Sequence, residues 1–186
     1  RETFDVSWQR PYYGLFMEMG TGKSKVAIDT MGALFESNEI DTALIIAPKG
    51  VFDNWVKKEI PAHLPERIPC KLVKWQPNFT QKFRAEIQAI ASPEDREPGF
   101  LHMLVMNTEA FSTQKGASAA QKFVKLNPNC LTILDESTSI KNKSAQRTKN
   151  LIKVGQASKY RRILTGSPIT KSPMDLFSQC MFLDQE

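Results

Sequence analysis

The sequence predicts an α/β domain of three layers, in which a mainly parallel central sheet is covered by helices on both faces. Three observations predict this class. Short apolar runs alternate with longer segments of helical periodicity along the chain. The runs are nearly continuous in apolar residues, which is typical of strands covered on both faces. Regular alternation of strands and helices favours parallel strands with helices on both sides.

The first half of the chain contains four predicted elements. Gly14–Met17 is the first strand, and Lys23–Glu36 is a helix with apolar residues at helical spacing. The run TALIIA at Thr42–Ala47 predicts a buried strand. Pro48-Lys49-Gly50 ends that strand, and Val51–Ile60 follows as a helix.

The remaining elements continue the alternation, and the polar segment SPEDREPG at Ser92–Gly99 is predicted to be a surface loop. Pro173 precedes the last helix, a position that suits helix initiation. The predicted strands are Lys71–Trp75, Leu101–Met106, Leu131–Leu134 and Arg162–Leu164. The predicted helices are Gln81–Ala91, Ser144–Val154 and Met174–Leu183.

Composition indicates one soluble, intracellular domain. The chain has 186 residues, of which 41% are hydrophobic and 24% are charged. No apolar run has the length of a membrane span, and the N-terminus lacks a signal-peptide layout. The three cysteines form no C-x-x-C pair, and the two histidines have no ligand spacing, which argues against a zinc site or a disulfide framework. Both ends lack a finishing element, so we expect a fragment of a larger protein.

Positive charge is concentrated in one part of the chain. The net charge is +5, yet residues 137–174 contain no aspartate or glutamate. Such a block suits a polyanion such as nucleic acid. A solvated helix face with a few cations directed at a nucleotide explains it equally well, and both interpretations stay open. The cations are Lys141, Lys143, Arg147, Lys149, Lys153, Lys159, Arg161, Arg162 and Lys171.

The segment MGTGKS at Met19–Ser24 predicts a phosphate-binding loop, because it follows a predicted strand and opens a predicted helix. Gly20 and Gly22 let successive backbone N–H groups face a phosphate. Lys23 would reach the β- and γ-phosphates, and the Ser24 hydroxyl would ligate Mg²⁺. The expected nucleotide-binding set is Met19, Gly20, Thr21, Gly22, Lys23, Ser24 and Lys25. Methionine, at Met17, occupies the position where the common pattern has its leading glycine.

Two adjacent carboxylates follow the strand at Leu131–Leu134. The carboxyl ends of parallel strands form the ligand-binding edge of such sheets, so Asp135 and Glu136 are directed toward that edge. Phosphoryl transfer needs one carboxylate for Mg²⁺ and a second group that orients the attacking water. Asp135 suits the first role, and Glu136 suits the second. With Lys23, they form the expected catalytic set.

Five segments in this order resemble the first RecA-like domain of superfamily 2 helicases and translocases. They are MGTGKS, IIAPKGVFDNW, LVMNTEAF, ILDESTSIKN and ILTGSPI, and the resemblance runs from about Gly14 to Asp184. The chain is most similar to the Swi/Snf-type branch, in its compact phage and bacterial form. In this family the phosphate loop commonly lacks the leading glycine, which accounts for Met17. The implied fold is a three-layer P-loop NTPase (RecA-like) domain.

The resemblance implies further roles, residue by residue. It implies nucleic-acid contacts from two loops and from the continuation of the carboxylate motif: Pro48, Lys49, Asn107, Thr108, Glu109, Lys141 and Asn142. It implies that LTGSP couples nucleotide state to domain movement through Thr165, Gly166 and Ser167. Trp55 matches a family feature and is expected to be a packing residue.

The function implied is that of an ATP-binding lobe in a nucleic-acid-dependent ATPase, a DNA helicase or double-stranded DNA translocase. Its expected cofactors are ATP and Mg²⁺. Its expected partners are duplex DNA and a second RecA-like domain of the same polypeptide, which supplies an arginine finger. The expected location is the cytoplasm of a bacterial or phage-infected cell, without membrane contact. An RNA helicase lobe and a nucleotide-dependent binding module without turnover remain alternatives.

Overall fold

The computed structural model describes residues 1–140, 142, 144–169 and 173–184. Its centre is a six-stranded sheet in the order β1-β6-β5-β2-β4-β3. Every strand pair within the described residues is parallel, which confirms the predicted sheet. The strands are β1 (Tyr12–Phe16), β2 (Thr42–Ala47), β3 (Cys70–Lys74), β4 (Leu101–Asn107), β5 (Cys130–Asp135) and β6 (Tyr160–Thr165).

Eight α-helical segments and a few tighter or wider turns connect the strands in the described parts of the chain. The helices are α1 (Glu2–Ser7), α2 (Lys23–Glu36), α3 (Phe52–Asn54), α4 (Ile60–His63), α5 (Gln81–Ala91), α6 (Gln114–Leu126), α7 (Gln146–Gln156) and α8 (Phe177–Leu183). A π-helical segment joins α3 to α4 at Trp55–Glu59. The 3-10 turns lie at Thr108–Ser112, Ser137–Ile140 and Pro173–Leu176.

Two apolar cores, one on each face of the sheet, give the predicted three layers. On one face, Ile28 and Met31 of α2 pack with Trp55 and with Ile45 of β2. On the other face, side chains of α5, α6, α7 and α8 pack against the sheet, and Phe123 of α6 is among them. Covering both faces explains why strands β2, β4 and β5 are nearly continuous in apolar residues.

The bounds of α2, β2 and α5 agree with the sequence prediction. The helical region predicted at Val51–Ile60 extends to His63 in the structure. The π-helical segment at Trp55–Glu59 interrupts it between α3 and α4. Two helices, α1 and α6, had no counterpart in the prediction. Helix α6 packs very closely on the preceding turn, since a Cβ atom at Gly116 would lie 2.3 Å from the Ala110 carbonyl oxygen.

The described part of the basic segment does not form one continuous surface. Arg162 is fully buried in β6, where its guanidinium donates to the carbonyl oxygens of Ser7, Trp8, Pro11 and Arg161 at 2.7–3.1 Å. Burial lowers the pKa of Arg162 to about 10, so the side chain stays charged at neutral pH. Its role is to fasten the segment around α1 to the edge of the sheet.

Other cations of this segment also have local structural partners. Arg161 donates to the Leu183 and Gln156 carbonyl oxygens, and Lys159 pairs with Glu39 at 2.8 Å, at the end of the sheet where β6 begins. Lys141, Lys143 and Lys171 lie outside the described residues. Among the described cations of this segment, Lys149 and Lys153 are exposed on α7, and Arg147 of the same helix is half-buried.

No helix in the described ranges is long and apolar enough to cross a membrane.

Candidate nucleotide site and adjoining loops

The predicted motifs follow the carboxyl ends of five of the six strands, and so they share one edge of the sheet. The phosphate loop follows β1, the carboxylates follow β5, and Thr165 ends β6, which lies between those two strands. The loops containing Lys49 and Asn107 follow β2 and β4, the next strands along. At this edge, the predicted nucleotide-binding, catalytic and coupling residues lie at the ends of β1, β5 and β6. The loops expected to contact nucleic acid follow the adjacent strands β2 and β4.

The phosphate loop has the backbone conformation that its glycines predict. Gly20 and Gly22 have φ angles of 77° and 88°, in the left-handed region that favours glycine. Gly22 caps α2, whose N-terminal N–H groups face the loop. The Lys23 ammonium is buried and donates to the carbonyl oxygens of Met17 (3.0 Å) and Glu18 (2.9 Å). These contacts hold the lysine across the loop, where a phosphate group would need its charge.

A cleft of about 460 Å³ brings together the main residues of the predicted site. Its lining includes Gly20, Lys23 and Ser24 of the phosphate loop together with both carboxylates, Asp135 and Glu136. Met19, Gly22 and Lys25 also line this cleft. Thr21 lies in the same loop, where its hydroxyl donates to the Glu18 carbonyl oxygen at 2.7 Å.

The two carboxylates differ in their surroundings. Asp135 is 7% exposed, and one oxygen accepts a hydrogen bond from Trp55 Nε1 at 2.8 Å. Burial raises the pKa of Asp135, while the bonds from Trp55 and from the Glu136 N–H and the charge of Lys23 act against that rise. Glu136 is half-buried, and burial together with the Asp135 charge raises its pKa. A raised pKa makes the Glu136 carboxylate a stronger base than an exposed glutamate.

Trp55 does more than the packing role expected of it. Its ring is buried, as predicted, and its indole N–H also fixes the orientation of Asp135 from a position 80 residues away in sequence. It opens the π-helical segment, a feature found frequently at functional sites. The same region adds Asn54, Glu59 and His63 to the cleft. One signal for this contact is available without the structure, because a buried indole N–H requires an acceptor.

The loop after β6 contacts the phosphate loop directly. The Thr165 carbonyl oxygen accepts from the Met17 N–H at 3.2 Å, and a Cβ atom at Gly166 would lie 3.4 Å from Met19 Cγ. The Thr165 hydroxyl accepts from the Ser167 N–H at 3.1 Å and so stays within its own loop.

The loops expected to contact nucleic acid are joined by Glu109. Its carboxylate accepts from the Lys49 backbone N–H at 3.5 Å and from the Asn107 amide at 3.1 Å. Burial acts to raise the pKa of Glu109, but these bonds and its own backbone N–H hold it below the ordinary value. The Glu109 carboxylate thus stays ionised and organises the two loops.

Not all of the expected nucleic-acid contacts are accessible. Thr108 is 1% exposed, so its side chain does not reach the surface, and its nucleic-acid contact stays a prediction. It begins the 3-10 turn at Thr108–Ser112, which packs against α6 and α7. Lys49 and Asn142 are exposed, and Pro48 is half-buried. The Asn142 side chain accepts from the Ser144 N–H and hydroxyl, and Lys141 lies outside the described residues.

The site defines a domain of the P-loop nucleotide-binding class. It combines a glycine-containing loop at a helix N-terminus, a lysine that bonds across this loop and two carboxylates at the end of β5. The chain belongs to the family of the SNF2-related domain, whose family model matches residues 13–186.

Curated relatives support this placement. The chain is 26% identical over 175 residues to Protein CHROMATIN REMODELING 19 of Arabidopsis thaliana, covering 89% of this chain and 21% of that protein. It is 30% identical over 169 residues to Chromatin-remodeling ATPase INO80 of Aspergillus oryzae, covering 89% of this chain and 11% of the relative. The chain thus spans about a fifth of the length of these relatives or less. Plant and fungal relatives give no support to the phage or bacterial branch that the sequence predicted.

A solved structure has the same fold. It is the SWI2/SNF2 ATPase core of Sulfolobus solfataricus in complex with double-stranded DNA, with a TM-score of 0.71 and 20% identity. The alignment covers 98% of this chain and 34% of that one. At this identity the likeness confirms the predicted three-layer RecA-like fold.

Proposed function

We propose that this chain is the ATP-binding lobe of a double-stranded DNA-dependent ATPase that moves along or remodels DNA. One observation carries the proposal: Lys23, Ser24, Asp135 and Glu136, from two motifs far apart in sequence, line the same cleft. The relative named Chromatin-remodeling ATPase INO80 and a further relative named Probable ATP-dependent DNA helicase CHR12, from Arabidopsis thaliana, support the same reaction. An intracellular location is part of this proposal.

The residues of the cleft have distinct roles in ATP hydrolysis. Backbone N–H groups of residues 20–24 bind the phosphates, and Lys23 neutralises charge that develops on the γ-phosphate. Glu136 accepts a hydrogen bond from the attacking water and orients it in line with the bond that breaks. Trp55 fixes the orientation of Asp135, because its indole N–H donates a hydrogen bond to one oxygen of the Asp135 carboxylate.

Ser24 and Asp135 are the residues that would hold Mg²⁺. A hydroxyl and a carboxylate supply oxygen ligands, and Mg²⁺ in such sites takes its remaining ligands from phosphates and water. No group of three or more His, Cys, Asp or Glu side chains in the described residues could hold a metal alone, in keeping with a nucleotide-dependent site. When bound, the ion stabilises negative charge on the phosphate oxygens.

Duplex DNA is proposed to lie across the loops that follow β2 and β4. Lys49 is exposed there, and the bond from its N–H to Glu109 joins the two loops into one surface. This surface begins on β2, the direct neighbour of the carboxylate strand β5. Neighbouring strands lie about 5 Å apart, so ATP and DNA would be bound side by side. A second RecA-like domain, which the relatives' greater length leaves room for, is proposed to close the cleft.

DNA binding by the full-length protein should weaken steeply with salt, because phosphate contacts release counterions. We expect Lys49→Ala to reduce the affinity for duplex DNA and to lower the slope of log K against log salt by about 1. The measurement is fluorescence anisotropy with labelled duplex DNA, single-stranded DNA and RNA over a salt series. Lys82→Ala, which removes an exposed lysine on α5, is the matched control.

The nucleic-acid series also separates the alternatives. Preference for RNA over duplex DNA would favour an RNA helicase lobe. Binding that is unchanged in Lys49→Ala at every salt concentration would contradict the proposed DNA surface.

A further inference from the structure

Gln179 on α8 connects two loops of the site without itself lining the cleft. Its side chain is fully buried. The amide nitrogen donates to the carbonyl oxygens of Pro168 (2.8 Å) and Asp175 (3.0 Å), and the amide oxygen accepts from the Ser137 hydroxyl (2.6 Å). Backbone carbonyl oxygens can only accept, so the amide nitrogen must face them and Ser137 must be the donor. One side chain thus joins three separate segments.

Ser137 directly follows the carboxylate pair, in a backbone that needs external support. Glu136 has a φ angle of 49°, in the left-handed region that residues other than glycine rarely adopt. Such a conformation persists only where its surroundings hold it. The Glu136 N–H is bonded to Asp135 Oδ1 at 2.9 Å, and Ser137, also fully buried, is fixed by Gln179. Gln179 therefore holds the far end of the strained turn.

The second connection leads back to the phosphate loop. Pro168, whose carbonyl oxygen accepts from Gln179, follows the loop of residues 165–167. That loop bonds to Met17 through the Thr165 carbonyl oxygen, and Met17 in turn accepts from the Lys23 ammonium. A continuous chain of contacts thus runs from Glu136 through Ser137 and Gln179 to Lys23.

We propose that Gln179 is a positioning residue for ATP hydrolysis, which sets the Glu136 carboxylate relative to the phosphate loop by holding Ser137 and Pro168 at once. This inference rests on the proposed function. Gln179 touches neither nucleotide nor metal, and its effect passes through Ser137. Loss of its amide would let the turn at Glu136 relax, while the residues that bind phosphate keep their own contacts.

The test is Gln179→Leu in the full-length protein. We expect kcat for ATP to fall about 10- to 100-fold, since a small displacement of a catalytic group costs this much, with KM for ATP within about 2-fold. Gln179→Glu should be no better than Gln179→Leu, because its carboxylate cannot donate and would face the carbonyl oxygens of Pro168 and Asp175. Ser137→Ala combined with Gln179→Leu should be little worse than Gln179→Leu alone, because both changes remove the bond between Ser137 and Gln179.

Ser158→Ala is the matched control for a purely structural effect. It removes another buried bond, between the Ser158 and Thr132 hydroxyls at 2.5 Å, at the opposite end of β5. It should lower the melting temperature and leave kcat per folded molecule unchanged. If Gln179→Leu behaved in the same way, the positioning role would be overturned.

Amide hydrogen exchange without nucleotide separates this proposal from the proposed function. Gln179→Leu should speed exchange at residues 136–137 and 166–167 together, and Ser158→Ala should not. Unchanged exchange at both segments would overturn the connection even if the protein were an active ATPase. If the Gln179→Leu variant exchanged faster but the wild type hydrolysed no ATP, the connection would be confirmed. The proposed function and the positioning role of Gln179 in ATP hydrolysis would then both be overturned.

Discussion

Glu136→Gln in the full-length protein is expected to lower kcat for ATP by about 10²- to 10⁴-fold while ATP still binds, because the change removes a base and leaves shape and volume intact. The amide cannot take a proton from the attacking water. Phosphate-loop contacts are unaffected, since Glu136 faces the cleft from β5 and Lys23 is held by Met17 and Glu18. Steady-state turnover and equilibrium binding of a fluorescent ATP analogue measure the two effects separately.

The pH dependence of the proposed ATP hydrolysis follows from the same carboxylate. Burial and the Asp135 charge raise the pKa of Glu136, so its protonation should begin above the ordinary range of glutamate, near 4.3. Falling pH protonates the base, and kcat should therefore fall on the acid side, at a pH above that range. The residual kcat of Glu136→Gln should no longer show the fall at low pH that protonation of Glu136 causes in the wild type. Glu66→Gln, at an exposed glutamate, is the control and should keep both rate and profile.

A Glu136→Gln variant that turned over ATP at the wild-type rate would contradict the assignment of the base.

Lys23→Ala is expected to reduce both ATP affinity and turnover, each by at least about 10²-fold. The ammonium is a buried positive charge inside the loop, and alanine leaves the carbonyl oxygens of Met17 and Glu18 facing the phosphates without a cation between them. Removal of a charge from a desolvated site costs much more than removal of a surface charge. Titration with a fluorescent ATP analogue and a turnover assay provide the two values.

Lys125→Ala is the control for Lys23→Ala, because it deletes an exposed lysine near the end of α6. Its ATP affinity should equal that of wild type. An affinity of Lys23→Ala within about 3-fold of wild type would show that phosphates are bound elsewhere.

Much of the fold was predictable because its signals are local. The run TALIIA predicted β2 with its bounds, and the spacing of Val26, Ile28 and Met31 predicted α2. Helix α6 was missed although its buried residues recur at helical spacing, because several of them, including Gly116 and Ala120, are small. Its packing against Ala110 is a tertiary contact, which local periodicity does not reveal.

The site was predictable where a motif keeps its residues together. Gly20 and Gly22 adopt the expected left-handed backbone, and Asp135 and Glu136 lie across the cleft from Lys23. Contacts between distant segments were not predictable. Trp55 reaches Asp135 over 80 residues, and Gln179 reaches Ser137 over 42.

The distribution of charge along the sequence was the least reliable predictor of a nucleic-acid-binding surface. Arg162 counted toward a basic, nucleic-acid-like segment, yet it is fully buried and bonded to four backbone carbonyl oxygens. Lys159 pairs with Glu39 at the end of the sheet where β6 begins. A linear count of cations cannot distinguish a buried guanidinium from one that faces solvent, because strands and helices of one segment point to different sides.

ATP turnover by the full-length protein, measured with and without duplex DNA at low salt, tests the central claim most directly. A DNA-driven motor should hydrolyse ATP slowly alone, and at least about 10-fold faster with duplex DNA, with a smaller response to single-stranded DNA and RNA. The stimulation should decline as salt is raised, since it depends on phosphate contacts. A turnover rate that is the same with and without every nucleic acid would contradict the account.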